Sequence, residues 1–191
     1  MGQVAEILEF WFGAADSPQF GHARDEWFKQ SAAFDEQVRI RFAGLHDAAA
    51  AHRLDDWKAT PEASLALVLV LDQFSRNLYR DSPRAFACDG HALSLAEEAI
   101  EAGFDRLLAP VQRMFIYMPF QHSEAIERQR RSLELFETLR NDPQTAYCYD
   151  YAVRHFEVIA KFGRFPHRNS ILGRASTPQE LEYLRQPGAG F

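Results

Sequence analysis

The stretch ASLALVLVLDQF, residues 63–74, limits the possible folds more than any other part of the chain. It follows a helix-start signal: Thr60 can cap the backbone, Pro61 suits the first helical position, and Glu62 faces the positive end of the helix dipole. A helix built from this stretch is apolar on every side, so it is stable only when other elements surround it. The sequence therefore predicts one central, buried helix.

The rest of the chain shows helical rather than strand periodicity. Val4, Ile7, Leu8 and Trp11 occupy one face of a first helix, and similar apolar stripes recur along the sequence. No segment shows the convincing alternation of polar and apolar residues that marks a half-buried strand. Short connections favour antiparallel packing of neighbouring helices. We predict an all-α fold of about eight helices in a single domain, residues 1–191.

Individual residues predict where several helices begin and end. Gly103 and Gly163 can adopt the left-handed backbone that closes a helix. Pro119 predicts a break in the helix before it, because proline has no backbone N–H and clashes with the preceding turn. A further helix is predicted over residues 145–162, and a capping box at residues 177–180 starts a last short helix.

The distribution of charge excludes some classes of function. The 191 residues have a formal net charge of -6, which argues against general nucleic-acid binding, since that requires clustered Lys and Arg. Residues 158–179 nevertheless contain no acid, and such a local basic region suits a small anion. Two cysteines without a CxxC pattern predict no metal site, and no cofactor is expected. With neither a secretory signal nor an apolar run of ~20 residues, we expect a cytoplasmic protein that does not enter the membrane.

The end of the central helix carries the first candidate constellation. Asp72 shares a face with apolar residues, and a buried carboxylate is costly unless it is paired. Arg76 lies one helical turn further on and is the nearest partner, while Asn77 stands at the same spacing from Gln73. Two interpretations stay open here. Asp72 and Arg76 form a structural ion pair, or Asp72 orients Arg76 toward a ligand.

Two histidines are candidates for further chemistry. His122 and Glu124 follow Pro119, where a helix break would free backbone groups. His122 is a candidate acid/base or hydrogen-bond donor. It forms no local dyad with Ser123, because adjacent side chains on a helix point apart. His155 lies on an apolar helix face, which is more typical of a hydrogen-bonded core residue than of a ligand.

The stretch FGRFPHRN, residues 162–169, gathers positive charge in a constrained loop. Arg164, His167 and Arg168 supply the cations, and Asn169 is a further hydrogen-bond donor. In a structural interpretation, the cations neutralise helix C-terminal carbonyls and pair with nearby acids. In a functional one, arginine offers a bidentate fork to carboxylate or phosphate. Rigid polar loops between helices often carry function.

Three stretches together resemble a known family: LDQFSRNLYRDSPRAFACD, YMPFQHSE and FGRFPHRNSILGRASTPQELEYL. They are similar to the signature segments of a largely bacterial domain family of unknown function with a tetratricopeptide-like fold. The likeness runs from ILEFWFG to LEYL, nearly the whole chain. It implies antiparallel helix pairs stacked as a short superhelix with a concave side, and no established activity. Ser75 stands where proline is expected to be frequent in the family, a departure that leaves the fold prediction unchanged.

We expect the separated polar stretches to meet at one pocket, because helix ends and one concave face can converge in stacked hairpins. The residues expected to bind a ligand there are Asp72, Arg76, Asn77, His122, Glu124, Arg164, His167, Arg168 and Asn169. The pocket supports three hypotheses. The chain is a module that binds a carboxylate, a phosphate or an acidic peptide, an enzyme on a small anionic substrate with a histidine acid/base, or a protein-interaction scaffold. An apolar strip on outer helices could also pair two copies as a homodimer.

Overall fold

A computed structural model describes residues 2–18 and 20–190, and within these ranges the chain is helical with no strand. The α-helices are α1 (Gly2–Phe12), α2 (Ala32–Ala50), α3 (Pro61–Val68), α4 (Ser75–Leu78), α5 (Asp89–Glu101), α6 (Pro110–His122), α7 (Ile126–Glu137), α8 (Cys148–Phe162) and α9 (Pro178–Leu184). Because α3 continues without a break into α4, the described residues form eight separate helices. The all-α prediction is confirmed.

The central helix consists of α3, a π-helical turn over Leu69–Phe74, and α4. It begins as the sequence predicts, with the Thr60 hydroxyl accepting a hydrogen bond from the backbone N–H of Ala63 at 3.3 Å. Residues 64–75 are all buried, which confirms the prediction from the apolar stretch. A π-helical turn changes the angular position of the residues beyond it, and such turns are frequent at functional sites. Asp72 lies inside this turn.

An aromatic cluster packs the outer helices against the central one. The Trp11 ring of α1 lies 5.5 Å from Phe74 in the central helix and 5.5 Å from Phe115 in α6, measured between ring centroids. Phe42 of α2 stacks on Phe74 at 5.0 Å. Aromatic pairs at these separations add packing energy beyond the area that they bury. The many phenylalanines of the sequence thus fill one core that joins helices distant along the chain.

The predicted helix break at Pro119 is wrong. Helix α6 runs from Pro110 to His122 with Pro119 inside it. Residues 114–121 are buried without exception, so packing on all sides holds the helix together despite the missing backbone hydrogen bond. The continuation of the helix places His122 in its last turn, next to the central helix. The wrong prediction therefore concerns the helix that carries His122, one of the residues expected to bind a ligand.

The other predicted helix ends fit the structure closely. Gly103 and Gly163 have φ angles of 73° and 68°, in the left-handed region that glycine adopts without strain. Thr177 and Glu180 form the predicted capping box at the start of α9. Helix α8 begins at Cys148, a few residues later than predicted. No helix within the described ranges has the length and apolar character needed to cross a membrane.

Candidate functional site

A cavity of about 520 Å³ opens beside the end of the central helix. One part of its wall is aromatic and consists of Trp27, Phe28, Phe86, Phe136, Tyr147 and Tyr151. A second part is basic and consists of Arg76, Arg80, His122, His155, His167 and Arg168. Among the described residues that line it, Asp81 is the one carboxylate. The cavity therefore combines an apolar surface with an excess of cationic and imidazole groups.

The Asp72 side chain is fully buried behind the basic part of the cavity wall and contacts two of its residues. Its Oδ1 lies 2.7 Å from Nδ1 of His122 and 3.4 Å from Nη1 of Arg76. Its Oδ2 accepts a hydrogen bond from Nε2 of Gln73 at 2.6 Å. Burial alone would raise the pKa of Asp72, but Arg76 and His122 together hold that pKa far below its usual range. The carboxyl group is therefore ionised at neutral pH.

His122 contacts the Asp72 carboxylate on one side and lines the cavity on the other. Because Asp72 is ionised and can only accept, Nδ1 of His122 carries the proton and donates it to Oδ1. Burial and the charge of Arg76 lower the pKa of His122 more than Asp72 raises it. The imidazole is thus neutral at pH 7, with Nε2 as the basic nitrogen. An imidazole fixed in one tautomer by a buried carboxylate is suited to general-base chemistry.

Two arginines of the cavity wall share a single carboxylate, that of Asp89. Nη1 and Nη2 of Arg76 donate to its two oxygens at 3.1 and 3.2 Å, and Nη1 of Arg168 donates to Oδ2 at 3.2 Å. Burial lowers the pKa of Arg168 to about 10, although Asp89 opposes the shift, so the group stays charged at neutral pH. Asp72, 3.4 Å from Arg76, is the second carboxylate of this group, and neither Asp72 nor Asp89 lines the cavity.

Aromatic rings fix the position of the Arg168 guanidinium. Its Cζ lies 4.5 Å from the centroid of Phe86 and 4.7 Å from that of Phe165, within the range of cation–π attraction. Nη2 also donates to the backbone carbonyl of His122 at 3.1 Å. The Arg168 Nε atom is buried without a hydrogen-bond partner. These contacts make Arg168 a rigid cation rather than a mobile surface side chain.

Two more histidines line the cavity in the neutral form. Nδ1 of His155 donates to the backbone carbonyl of Tyr151 at 2.8 Å, and burial lowers the pKa of His155 to about 3. Burial, followed by the charge of Arg168, lowers the pKa of His167 to about 4. His155 is buried and hydrogen-bonded, as the sequence suggests. It also faces the cavity, which the apolar character of its helix face does not indicate.

Five residues of the predicted pocket do not line the cavity: Asp72, which lies behind the wall, and Asn77, Glu124, Arg164 and Asn169. Asn77 donates to Asp35 at 2.8 Å, and the Asn169 amide donates to the Ser176 hydroxyl at 3.0 Å. These amides tie neighbouring segments together, which is a structural role. The structure brings Arg76, His122, His167 and Arg168 to the cavity and places Asp72 directly behind them.

Arg164 and Glu124 belong to a separate ion-pair cluster. Nε and Nη2 of Arg164 donate to the two oxygens of Glu180 at 2.7 and 2.8 Å. Glu124 accepts from Arg174 at 2.7 and 3.0 Å and from the backbone N–H of Phe165 at 2.8 Å. Each arginine of this C-terminal cluster thus has a carboxylate of its own. The cluster fixes the loop after α8 on neighbouring segments.

Sequence reasoning did not identify Asp89 or the aromatic wall. Asp89 stands in the first turn of α5, where an acidic residue has an ordinary role at the positive end of a helix. Trp27, Phe28 and Phe86 come from short connecting turns with no apolar periodicity. Tyr151 had one usable signal, because it shares the helix face of His155.

Comparison with known proteins identifies the family. The model of a bacterial family of proteins of unknown function, DUF924, matches residues 7–188. The chain belongs to this family. A solved protein of unknown function from Agrobacterium tumefaciens is 40% identical, with a TM-score of 0.85 over 96% of this chain and 97% of that one. A search of curated proteins gives no match. The resemblance to a bacterial family of unknown function is confirmed, whereas the stacked tetratricopeptide-like superhelix stays a prediction. Evidence on activity comes from the cavity.

Proposed function

We propose that the cavity binds a small organic ligand in which a carboxylate or phosphate is joined to an apolar or aromatic body. The observation that carries this proposal is that the guanidinium groups of Arg76 and Arg168 line the cavity, whereas their carboxylate partners Asp72 and Asp89 do not. Arginine presents a planar fork that matches carboxylate and phosphate oxygens. In the cavity a ligand anion would meet these two guanidinium groups, with Asp81 as the one carboxylate among the described lining residues.

The dimensions and lining of the cavity support a ligand of this class. A volume of about 520 Å³ lies within the range of roughly 300–1,000 Å³ that small-molecule sites span. Such sites are largely apolar with a few convergent polar groups. The aromatic side chains supply the apolar surface, and the two arginines supply the polar contacts.

A second candidate, an enzyme acting on the same ligand class, is favoured by the Asp72–His122 pair. The distance of 2.7 Å between Oδ1 and Nδ1 is that of a strong hydrogen bond. In this proposal Nε2 of His122 removes a proton from the substrate or from water, and Asp72 stabilises the imidazolium that forms. Arg76 and Arg168 hold the anionic group during the reaction.

Thermal denaturation with matched compounds tests the binding proposal. Benzoate and phenyl phosphate carry the ring and the anion, whereas benzamide keeps the ring and lacks the charge. At about 100 times its Kd, a ligand stabilises the folded state by ~2.7 kcal/mol, so we expect the two anions to raise Tm and benzamide to leave it unchanged. Equal protection by benzamide would contradict recognition of an anion.

Two arginine variants locate the binding. Arg76→Met removes a cation from the cavity wall, and we expect it to abolish protection by benzoate. Arg164→Met is the matched control, because it removes an ion-paired arginine that lies outside the cavity. Loss of protection in the control alone would place the anion in the C-terminal cluster.

The enzyme proposal needs a separate measurement. If a bound compound is consumed, His122→Gln should abolish turnover while the compound still raises Tm. The acidic limb of the pH profile of turnover should move to lower pH in Asp72→Asn, because Asp72 raises the pKa of His122. Turnover that survives in His122→Gln would rule out His122 as the base.

A further inference from the structure

Three potential metal ligands meet at the surface, away from the cavity. His52 follows the end of α2, Asp55 opens a short 3-10 turn, and His91 lies in the first turn of α5. One ligand atom from each residue lies within 4.8 Å of the other two. None of the three belongs to the cavity lining or to the C-terminal cluster. Segments distant in sequence thus bring two imidazoles and a carboxylate together.

Two atoms of this cluster are buried without a hydrogen-bond partner. They are Oδ1 of Asp55 and Nε2 of His91. A buried polar atom that forms no hydrogen bond costs free energy, and native structures contain few of them. Nδ1 of His52 lies 3.6 Å from the unpartnered Oδ1, beyond hydrogen-bond distance. A metal cation bound between Oδ1 of Asp55, Nε2 of His91 and Nδ1 of His52 would give each of these atoms a partner.

The His52 and His91 imidazole rings stack on each other, and the backbone of His52 has an uncommon conformation. Their centroids are 3.9 Å apart, and the ring planes are inclined by 29°. His52 has a φ angle of 57°, in the left-handed region that residues other than glycine seldom adopt. Backbone strain of this kind concentrates at functional sites.

We propose that His52, Asp55 and His91 bind a divalent transition-metal ion, with Zn²⁺ and Co²⁺ as the best-suited ions and water completing the coordination. Zinc bonds of about 2.0–2.2 Å place tetrahedral ligand atoms roughly 3.3–3.5 Å apart. The His52–Asp55 separation is already close to this value, and His91 needs only a small side-chain movement. Two imidazole ligands disfavour Mg²⁺ and Ca²⁺, which prefer oxygen.

The ammonium group of Lys58 lies near this cluster but contacts other oxygen atoms. Nζ of Lys58 lies 3.9 Å from Oδ2 of Asp55, the oxygen on the other side of the carboxylate. The same Nζ is 3.2 Å from Glu98, its closer partner. Lys58 therefore neutralises Glu98 first and leaves Oδ1 of Asp55 available.

Calorimetric titration of the untagged, chelator-treated full chain tests the site. We expect Zn²⁺ and Co²⁺ to bind with a stoichiometry of one, and bound Co²⁺ to develop visible absorption bands. His91→Ala should weaken binding at least ~10-fold, since even loss of a supporting contact to a metal ligand has an effect of that size. His22→Ala is the matched control, because it removes an exposed histidine outside the cluster, and it should bind as the parent does.

A second variant separates ligand loss from unfolding. His52→Gly removes an imidazole at a backbone conformation that glycine adopts freely, so the metal-free variant should be at least as stable as the parent. Its Zn²⁺ affinity should nevertheless fall at least ~10-fold. Unchanged affinity in both His52→Gly and His91→Ala would overturn the proposal. Loss of metal binding in His122→Ala with retention in His91→Ala would also overturn it.

Discussion

Arg76 and Arg168 of the cavity wall and Arg164 and Arg174 of the C-terminal cluster all pair with carboxylates, and the two regions differ in how that pairing is arranged. In the C-terminal cluster, Arg164 and Arg174 each pair with a separate glutamate. In the cavity wall, Arg76 and Arg168 share Asp89, and Arg76 also pairs with Asp72. The first arrangement holds its cations against carboxylates away from the cavity. The second presents its cations to a cavity that Asp72 and Asp89 do not line.

Exposure alone would not separate the two regions. The Arg168 side chain is 9% exposed and that of Arg164 is 29% exposed, so a search for accessible cations would select Arg164. The adjoining cavity points instead to Arg168, which lines it, whereas Arg164 does not. Position beside a cavity is therefore a better guide to a binding site than the number of basic residues in a sequence stretch.

The largest expected effect on stability comes from Asp72→Asn, at the centre of the cavity cluster. Removal of this buried charge leaves Arg76 and His122 without their common partner, and breaking a buried ion pair costs about 3–5 kcal/mol. Urea denaturation should show a loss of that size in the free energy of unfolding. The matched Glu124→Gln variant acts on a partly exposed carboxylate of the C-terminal cluster and should cost less. A larger loss of unfolding free energy in Glu124→Gln than in Asp72→Asn would contradict this prediction.

Acid should destabilise the cavity region before it affects the C-terminal cluster. An unfolded histidine takes up a proton near pH 6.5, whereas folded His155 does so only near pH 3 and His167 near pH 4. The unfolded state therefore binds more protons between these values, so stability falls as the pH drops, by up to ~1.4 kcal/mol per pH unit for each histidine. The pKa of Glu124 is lowered below 4.5, with Arg174 and the Phe165 N–H outweighing the effect of burial. Its stabilising contribution is lost only at more acidic pH.

The measurement is the free energy of unfolding at several pH values between 7 and 4. His155→Gln should flatten the dependence, because it removes one of the histidines whose pKa is lowered by folding. An identical slope in the parent and in His155→Gln would show that His155 takes up its proton at the same pH in the folded and unfolded states, contrary to its burial.

A smaller effect is expected from Arg168→Lys. Lysine keeps the charge and loses the planar group between Phe86 and Phe165, so stability should fall by about 1–2 kcal/mol. Benzoate binding measured by calorimetry should weaken ~10-fold, since the bidentate fork is lost. Full retention of affinity would mean that a point charge at this position is sufficient.

The smallest effect is expected from Asn77→Ala. Asn77 donates one hydrogen bond to Asp35, and its removal should lower the free energy of unfolding by about 0.5–1.5 kcal/mol. Benzoate affinity should stay at the parent value because Asn77 does not line the cavity. A measurable loss of affinity would extend the site beyond the cavity wall.

Local sequence signals predict most of the fold and only part of the site. The central helix, its Thr60 cap and the Gly103 and Gly163 ends follow from residue types within one or two turns. Pro119 was misjudged because burial on all sides outweighs the local preference of proline, and that burial depends on helices distant along the chain.

The candidate site shows the same division. The pairing of Asp72 with Arg76 is visible at a spacing of one helical turn. The approach of His122 to Asp72, and the use of Asp89 by two arginines, are long-range contacts that spacing cannot reveal. Arg164 and Arg168 are four positions apart and of one residue type, yet they belong to different clusters, so composition cannot distinguish them.

A crystal structure of the protein soaked with benzoate tests the central claim most directly. We predict density in the cavity with a carboxylate oxygen about 2.7–3.2 Å from a guanidinium nitrogen of Arg76 or Arg168, and with the ring against the aromatic wall. A carboxylate bound to Arg164 or Arg174 instead, with the cavity unchanged, would contradict the account.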